Sequence, residues 1–138
     1  MKKKIIAVSG GFDPVHVGHV RMIQAASKLG DVVVVCNSDP WLKRKKGYIF
    51  MPFEERCEII RGFTGVAETS AVDDSDGTVC EALRRLKPTY FANGGDRKVE
   101  NVPEIDVCKD VGVEMLWGIG GGKIQSSSDL IKNAEKEN

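Results

Sequence analysis

The chain has 138 residues, 41% of them hydrophobic, with 20 acidic and 20 basic residues that cancel to a net charge of zero. That length can bury a sizeable core without disulfide staples, and it suits one domain spanning residues 1–138. The balanced charge argues against a general nucleic-acid binder or a membrane-surface binder.

The start, Met1-Lys2-Lys3-Lys4, mimics the basic end of a signal peptide, but its apolar stretch stops at Ser9-Gly10-Gly11. That is too short for a secretory core, and no run approaches a membrane span, so a cytoplasmic protein is expected. Cys36, Cys57, Cys80 and Cys108 lie far apart within apolar patterns. They read as reduced core residues, with no C-x-x-C site.

In chain order, strands are expected at Lys4–Val8, Val32–Cys36, Glu68–Val72, Tyr90–Ala92 and Val113–Trp117, each a short apolar run. Helices are expected at His19–Leu29, Phe53–Phe63, Thr78–Leu86, Pro103–Val111 and Ser127–Glu135, from apolar residues at helical spacing. Gly30-Asp31 and Lys87-Pro88 supply the expected stops. Strict alternation predicts an α/β fold: a doubly wound domain with a five-stranded parallel sheet, helices on both faces and right-handed crossovers. Asp39 to Pro52 breaks the pattern, because it has no apolar period, and is expected to be a long functional loop.

The two histidines of the chain fall where the first strand turns into the first helix, in Gly10-Gly11-Phe12-Asp13-Pro14-Val15-His16-Val17-Gly18-His19. In open α/β sheets ligands bind at such turns. The helix start offers unpaired N–H groups and a positive dipole end, and Gly18 allows close approach to backbone. Two imidazoles added there can donate to phosphate oxygens and favour a transition state more negative than the ground state. No cysteine or carboxylate stands at a spacing that completes a zinc set, so no metal ligands are assigned.

Three further features would meet this loop if the carboxyl ends of the strands converge. Lys43-Arg44-Lys45-Lys46 could form a cationic lid over phosphates. Asn93-Gly94-Gly95-Asp96-Arg97 allows backbone contact with a flat ligand, and Asp96 can accept from an amino or hydroxyl group. Gly120-Gly121-Gly122-Lys123-Ile124-Gln125-Ser126-Ser127-Ser128 makes a capped helix start and a second anion site, without P-loop spacing. Asp73, Asp74 and Asp76 read as a solvated turn and helix cap. Arg97, Lys98 and Trp117 are candidates for contacting an acceptor.

Gly-Phe-Asp-Pro-x-His-x-Gly-His resembles the signature of the nucleotidyltransferases that include glycerol-3-phosphate cytidylyltransferase and heptose-1-phosphate adenylyltransferase. The motif order continues to match from about Lys4 to Lys132: the lysine run, Arg56 in Met51-Pro52-Phe53-Glu54-Glu55-Arg56, Gly94-Gly95-Asp96, and Ser126-Ser127-Ser128. The resemblance implies a compact Rossmann-like transferase, often a homodimer, that uses a magnesium-bound nucleoside triphosphate. It implies that His16 and His19 contact the phosphates being transferred. A lysine of the basic run and Arg56 would neutralise the triphosphate, and the serine helix start would hold its outer end.

The run allows more than one alignment; Lys46 is assigned with the catalytic group and Lys43 with the substrate, alongside Arg97. Gly10, Gly11, Phe12, Asp13 and Gly18 join the nucleotide-binding set with Gly94, Gly95, Asp96 and the serines, and Asp13 could help hold magnesium.

Two departures bear on substrate. The Arg-Thr-x-Gly-Ile sequence of the teichoic-acid cytidylyltransferases is replaced by Gly121-Gly122-Lys123-Ile124-Gln125, and Gly-Gly-Asp-Arg is closer to the heptose adenylyltransferases. The expected reaction is transfer of a nucleotidyl group from CTP or ATP to a phosphorylated small molecule such as glycerol 3-phosphate or a sugar phosphate. A heptose-1-phosphate-type or cofactor-precursor adenylyltransferase and, outside enzymes, a silent nucleotide-binding module are the alternatives.

Overall fold

The computed structural model describes residues 4–92 and 103–116. The elements in chain order are β1 (Ile5–Gly10), α1 (Val17–Ser27), β2 (Asp31–Cys36), α2 (Asp39–Lys46), α3 (Phe53–Arg61), β3 (Val66–Ser70), α4 (Cys80–Leu86), β4 (Tyr90–Ala92), α5 (Glu104–Val111) and β5 (Glu114–Leu116). The five strands among the described residues form one sheet in the order β3-β2-β1-β4-β5, with every pairing parallel. This is the expected doubly wound α/β arrangement.

The strand sequences explain why the sheet lies in the middle. Val32 to Cys36 is buried along its whole length, as a strand covered on both faces must be. In β1, Ile6 and Val8 face a core shared with Ile23 and Ala26 of α1 and Cys57 and Ile60 of α3. Ala7, between them, faces the opposite core, with Val79, Ala82, Leu83, Val107 and Cys108 on and around α4 and α5. The period-two alternation of β1 thus assigns one pair of helices to each face.

The order reverses beside β1, which has β2 on one side and β4 on the other. A doubly wound sheet opens its ligand crevice at that switch, beyond the carboxyl ends of the strands. The loop that leaves β1 there is the one carrying the histidines.

Two expectations need correction. The stretch from Asp39 to Pro52 is not a continuous loop, because its first eight residues form α2. Ser38 caps the helix by accepting from the Trp41 N–H, Pro40 lies in the first turn, and Gly47 closes it in the left-handed region at φ 86°. Only Leu42 of α2 is buried, so no apolar period announces it. The third strand runs over Val66–Ser70 instead of Glu68–Val72. Val72 is buried beyond the strand end, against the α4 side of the core. The expected helix Ser127–Glu135 and the end of the last expected strand at Trp117 lie outside the described residues.

Candidate active site

The histidine loop begins with a tight reversal. Phe12 adopts φ 54°, a left-handed conformation that a bulky residue rarely takes. Its ring is buried at 2% exposure, so close to Gly10 that a Cβ there would meet Phe12 Cζ at 3.2 Å, and it meets the His19 ring in a T-shaped contact with centroids 4.8 Å apart. Backbone strain of about 1–3 kcal/mol is held here by the burial of an aromatic side chain. Phe12 therefore forms the floor under the histidines and has almost no surface for a ligand.

His16 is the N-cap of α1, and His19 occupies its first turn. The Gly18 N–H donates to His16 Nδ1 at 3.1 Å, and the His16 N–H donates to His19 Nδ1 at 3.1 Å. This is a capping box built from two imidazoles. Because each Nδ1 accepts, each neutral ring must carry its proton on Nε2. The local fold thus sets both tautomers and leaves two N–H donors for a ligand. The rings stack with centroids 3.9 Å apart.

Burial, the neighbouring His16 and then Lys46 push the pKa of His19 down from 6.5 to about 3. Burial and then Lys46 lower that of His16. Both rings are consequently neutral at physiological pH, beside a cation and a helix N-terminus.

Lys46, in the last turn of α2, completes the group. Its Nζ donates to the Asp13 carbonyl oxygen at 3.1 Å, and its pKa is lowered mainly by burial. Of the basic run, Lys46 is the residue brought to the histidine loop. Lys45 lies over the Trp41 ring at 4.7 Å, Arg44 donates to the Asp74 carbonyl at 2.8 Å, and Lys43 is exposed.

Gly11 allows α2 to come this close: a Cβ there would meet Leu42 Cδ2 at 2.8 Å. Gly18 serves through its N–H on His16, and Gly10 ends β1.

Asp13 and Arg56 occupy places the sequence did not indicate. Asp13 is completely buried, and its two carboxylate oxygens accept from the N–H groups of Phe50, at 2.7 Å, and Met51. Instead of facing a metal, it pins the segment after α2 to the histidine loop. Arg56 is also completely buried. It donates from Nε to Met51 O at 3.0 Å, from Nη1 to Gly11 O at 2.7 Å and Asn37 O at 2.8 Å, and from Nη2 to Asp39 Oδ1 at 2.7 Å.

The guanidinium therefore joins the histidine loop, the end of β2, the start of α2 and the turn before α3. Arg56, expected to neutralise the triphosphate, makes internal bracing bonds at every guanidinium nitrogen. An arginine with no exposed surface could have been suspected only from its place on the helix, between core residues Cys57 at i+1 and Ile60 at i+4.

Among the described residues no three histidines, cysteines, aspartates or glutamates lie close enough to hold a metal ion. The Asp13 carboxylate is engaged by backbone N–H groups.

The acidic turn also divides. Asp73 and Asp76 are exposed turn residues bonded to Ser75 and Thr78. Asp74, in contrast, is buried at 3% exposure and accepts from Asn37 and Ser38, so the expectation of a solvated turn fails for it. Gly94, Gly95, Asp96, Arg97, Lys98, Trp117 and Ser126 to Ser128 lie outside the described residues.

A parallel sheet with two imidazoles and a lysine gathered at its switch point is an arrangement suited to holding phosphate groups. The Cytidylyltransferase-like family model matches residues 7–116, and the chain belongs to that family. It is 38% identical over 111 residues to the Bifunctional protein HldE of Streptomyces coelicolor, covering 78% of this chain and 24% of that protein. It is 33% identical over 140 residues to the Bifunctional protein HldE of Geobacter metallireducens, covering 98% and 28%. The chain thus spans about a quarter of the length of these relatives.

Among solved structures, a lipopolysaccharide core biosynthesis protein from Thermoplasma volcanium superposes with a TM-score of 0.69 at 22% identity, covering 84% of this chain and 96% of that one. A bifunctional NMN adenylyltransferase/ADP ribose pyrophosphatase from Francisella tularensis gives 0.70 at 14% identity, covering 99% and 43%. At these identities the structural matches establish the shared fold.

Proposed function

We propose that this protein transfers a nucleotidyl group from CTP or ATP to a phosphorylated small molecule and releases pyrophosphate. The observation that carries the reading is the imidazole capping box, which turns two Nε2–H donors and a helix N-terminus toward the same task beside Lys46. A phosphate monoester oxygen attacks the α-phosphorus, the bond to the β-phosphate oxygen breaks, and pyrophosphate leaves. The attacking dianion is already a nucleophile, so no general base is required.

His16 and His19 hydrogen-bond the oxygens on which charge grows, and Lys46 neutralises the triphosphate. Arg56 and Asp13 act by holding the loop and α2 in place. A magnesium ion bound with the triphosphate would offset part of its charge. Gly94, Gly95, Asp96 and Ser126 to Ser128 remain assigned to the nucleotide, and Lys43 and Arg97 to the acceptor, on the motif order. The turn Gly94-Gly95-Asp96, closer to that of the heptose adenylyltransferases, favours a sugar phosphate over glycerol 3-phosphate.

We also read residues 1–138 as one cytoplasmic unit that pairs as a homodimer. Light scattering on the purified chain should give twice the monomer mass.

The test of the reaction is isotopic. With triphosphate labelled at the α-phosphorus, label should appear in the acceptor product, and with γ-label it should appear in pyrophosphate. Transfer of the γ-phosphate, or simple hydrolysis in the presence of every acceptor, would refute the reading.

A further inference from the structure

Lys46 reaches the histidine loop only because α2 is held at one angle, and the best-satisfied group at the start of α2 is a carboxylate from another loop. Asp74 follows β3, yet its Oδ2 accepts from Asn37 Nδ2 at 3.0 Å and from the Ser38 N–H at 2.8 Å. Its Oδ1 accepts from Ser38 Oγ at 2.6 Å. Once the serine proton is committed to Asp74, a lone pair of the same hydroxyl faces the Trp41 N–H at 3.1 Å, so Asp74 also orients the helix cap. A second bond comes from the middle of the helix, where Arg44 Nη2 donates to the Asp74 carbonyl at 2.8 Å. Asp74 is buried at 3% exposure, unlike its neighbours Asp73 and Asp76, which keep to the solvent side of the turn.

We propose that Asp74 is a positioning residue for Lys46: it fixes the start and pitch of α2, and thereby the place where Lys46 meets the histidine loop. The inference rests on the reading that Lys46 serves nucleotidyl transfer. The lever is short and stiff. Eight helical residues span about 12 Å, so a tilt of about 5° at Ser38 moves the far end by about 1 Å. A displacement of that size at a reacting site costs up to about a hundred-fold in rate. Asp74 touches no reacting atom and acts through the helix.

Two measurements test it. In a double-mutant cycle on pyrophosphate release, Asp74→Asn should lower kcat about ten- to a hundred-fold in the otherwise unchanged protein. In the Lys46→Ala background it should lower kcat by less than about two-fold, because the lysine it positions is gone. Equal losses in both backgrounds, or full activity of folded Asp74→Asn, would overturn the proposal. Asp73→Asn and Asp76→Asn, on the exposed side of the same turn, should leave kcat unchanged, and losses like that of Asp74→Asn would also count against it.

Where Asp74→Asn does not fold, Ser38→Ala removes one bond to Asp74 together with the cap bond that Asp74 orients, and should show the same non-additivity with Lys46→Ala. Hydrogen exchange supplies a readout without turnover: amides of α2 should exchange faster in Asp74→Asn while those of β1 do not. Unchanged α2 exchange sinks the clamp itself. If the unsubstituted protein releases no pyrophosphate with any substrate pair, the nucleotidyl reading fails, and with it the role given to Lys46.

Discussion

At the scale of single residues, the chemistry depends on two hydrogen bonds that are local in sequence. His16 and His19 accept backbone N–H groups on Nδ1, and that fixes each proton on Nε2. His16→Ala and His19→Ala should each lower kcat by a factor of about 100 to 1,000, the usual loss for one transition-state donor. Each also removes a cap bond, so melting temperatures should fall by the equivalent of about 1 kcal/mol while the chain stays folded. Near-normal turnover in either variant would remove that histidine from the mechanism.

Burial also gives the histidines a role in stability. The pKa of His19 is held at about 3 and that of His16 is also lowered, so below pH 6.5 the unfolded chain binds protons that the folded one refuses. Their stabilising contribution is present above the unfolded value of 6.5 and is lost as pH falls below it toward the folded value. Thermal melting followed from pH 7.5 to 5 should show falling stability. His19→Gln, which keeps a polar group at that position of the capping box, should flatten the decline. An equal slope in the variant would assign the acid sensitivity elsewhere.

At the scale of elements, what the sequence disclosed depended on how local the causes were. The strand, turn and helix around the histidines were legible because their signals are contiguous: a β-branched run, glycines, then helical spacing. α2 escaped an apolar-period search because it buries only Leu42 and is held instead by Asp74, Arg56 and Asp13, which come from three other segments. Its Ser-Asp-Pro start and Gly47 stop were visible, and capping chemistry was the signal that could have found it. Which lysine meets the histidines was illegible for the same reason, since helical geometry makes Lys46 half-buried and leaves Lys43 to solvent. The burial of Arg56 could not be read either, because arginine is ordinarily solvated and its partners here are four distant oxygens.

That junction carries its own prediction. Arg56→Met keeps the volume but orphans three carbonyls and leaves Asp39 without its cation. It should destabilise the fold by about 3–5 kcal/mol in denaturant titration. A loss below about 1 kcal/mol would show that the bracing is dispensable. Gly47→Ala is a milder test of α2 alone. The left-handed C-cap at φ 86° should cost about 1 kcal/mol, with nothing near the new methyl to offset it.

At the scale of the molecule, the topology gathers the residues of the proposed chemistry at one end of the sheet. The order β3-β2-β1-β4-β5 leaves the crevice at the carboxyl end of β1, and α1 starts there with its N–H groups. α2 and the turn before α3 close over the same end, drawn in by buried Asp13 and Arg56. The fold class could be inferred from strict alternation of apolar runs and amphipathic stretches, while base and acceptor could not. Their recognition depends on side chains that meet from several loops, and motif order says nothing of the shape they enclose.

The most direct test of the central claim is pyrophosphate release, in the presence of magnesium, from CTP, ATP, GTP and UTP against a panel of phosphorylated acceptors. The panel should include sugar 1-phosphates, glycerol 3-phosphate and nucleotide-like cofactor precursors, with the His16→Ala/His19→Ala double variant measured in parallel. The account predicts release with CTP or ATP that requires one acceptor class and is lost in the double variant. Tight nucleotide binding without release for any pair, or release that survives loss of both histidines, would contradict it.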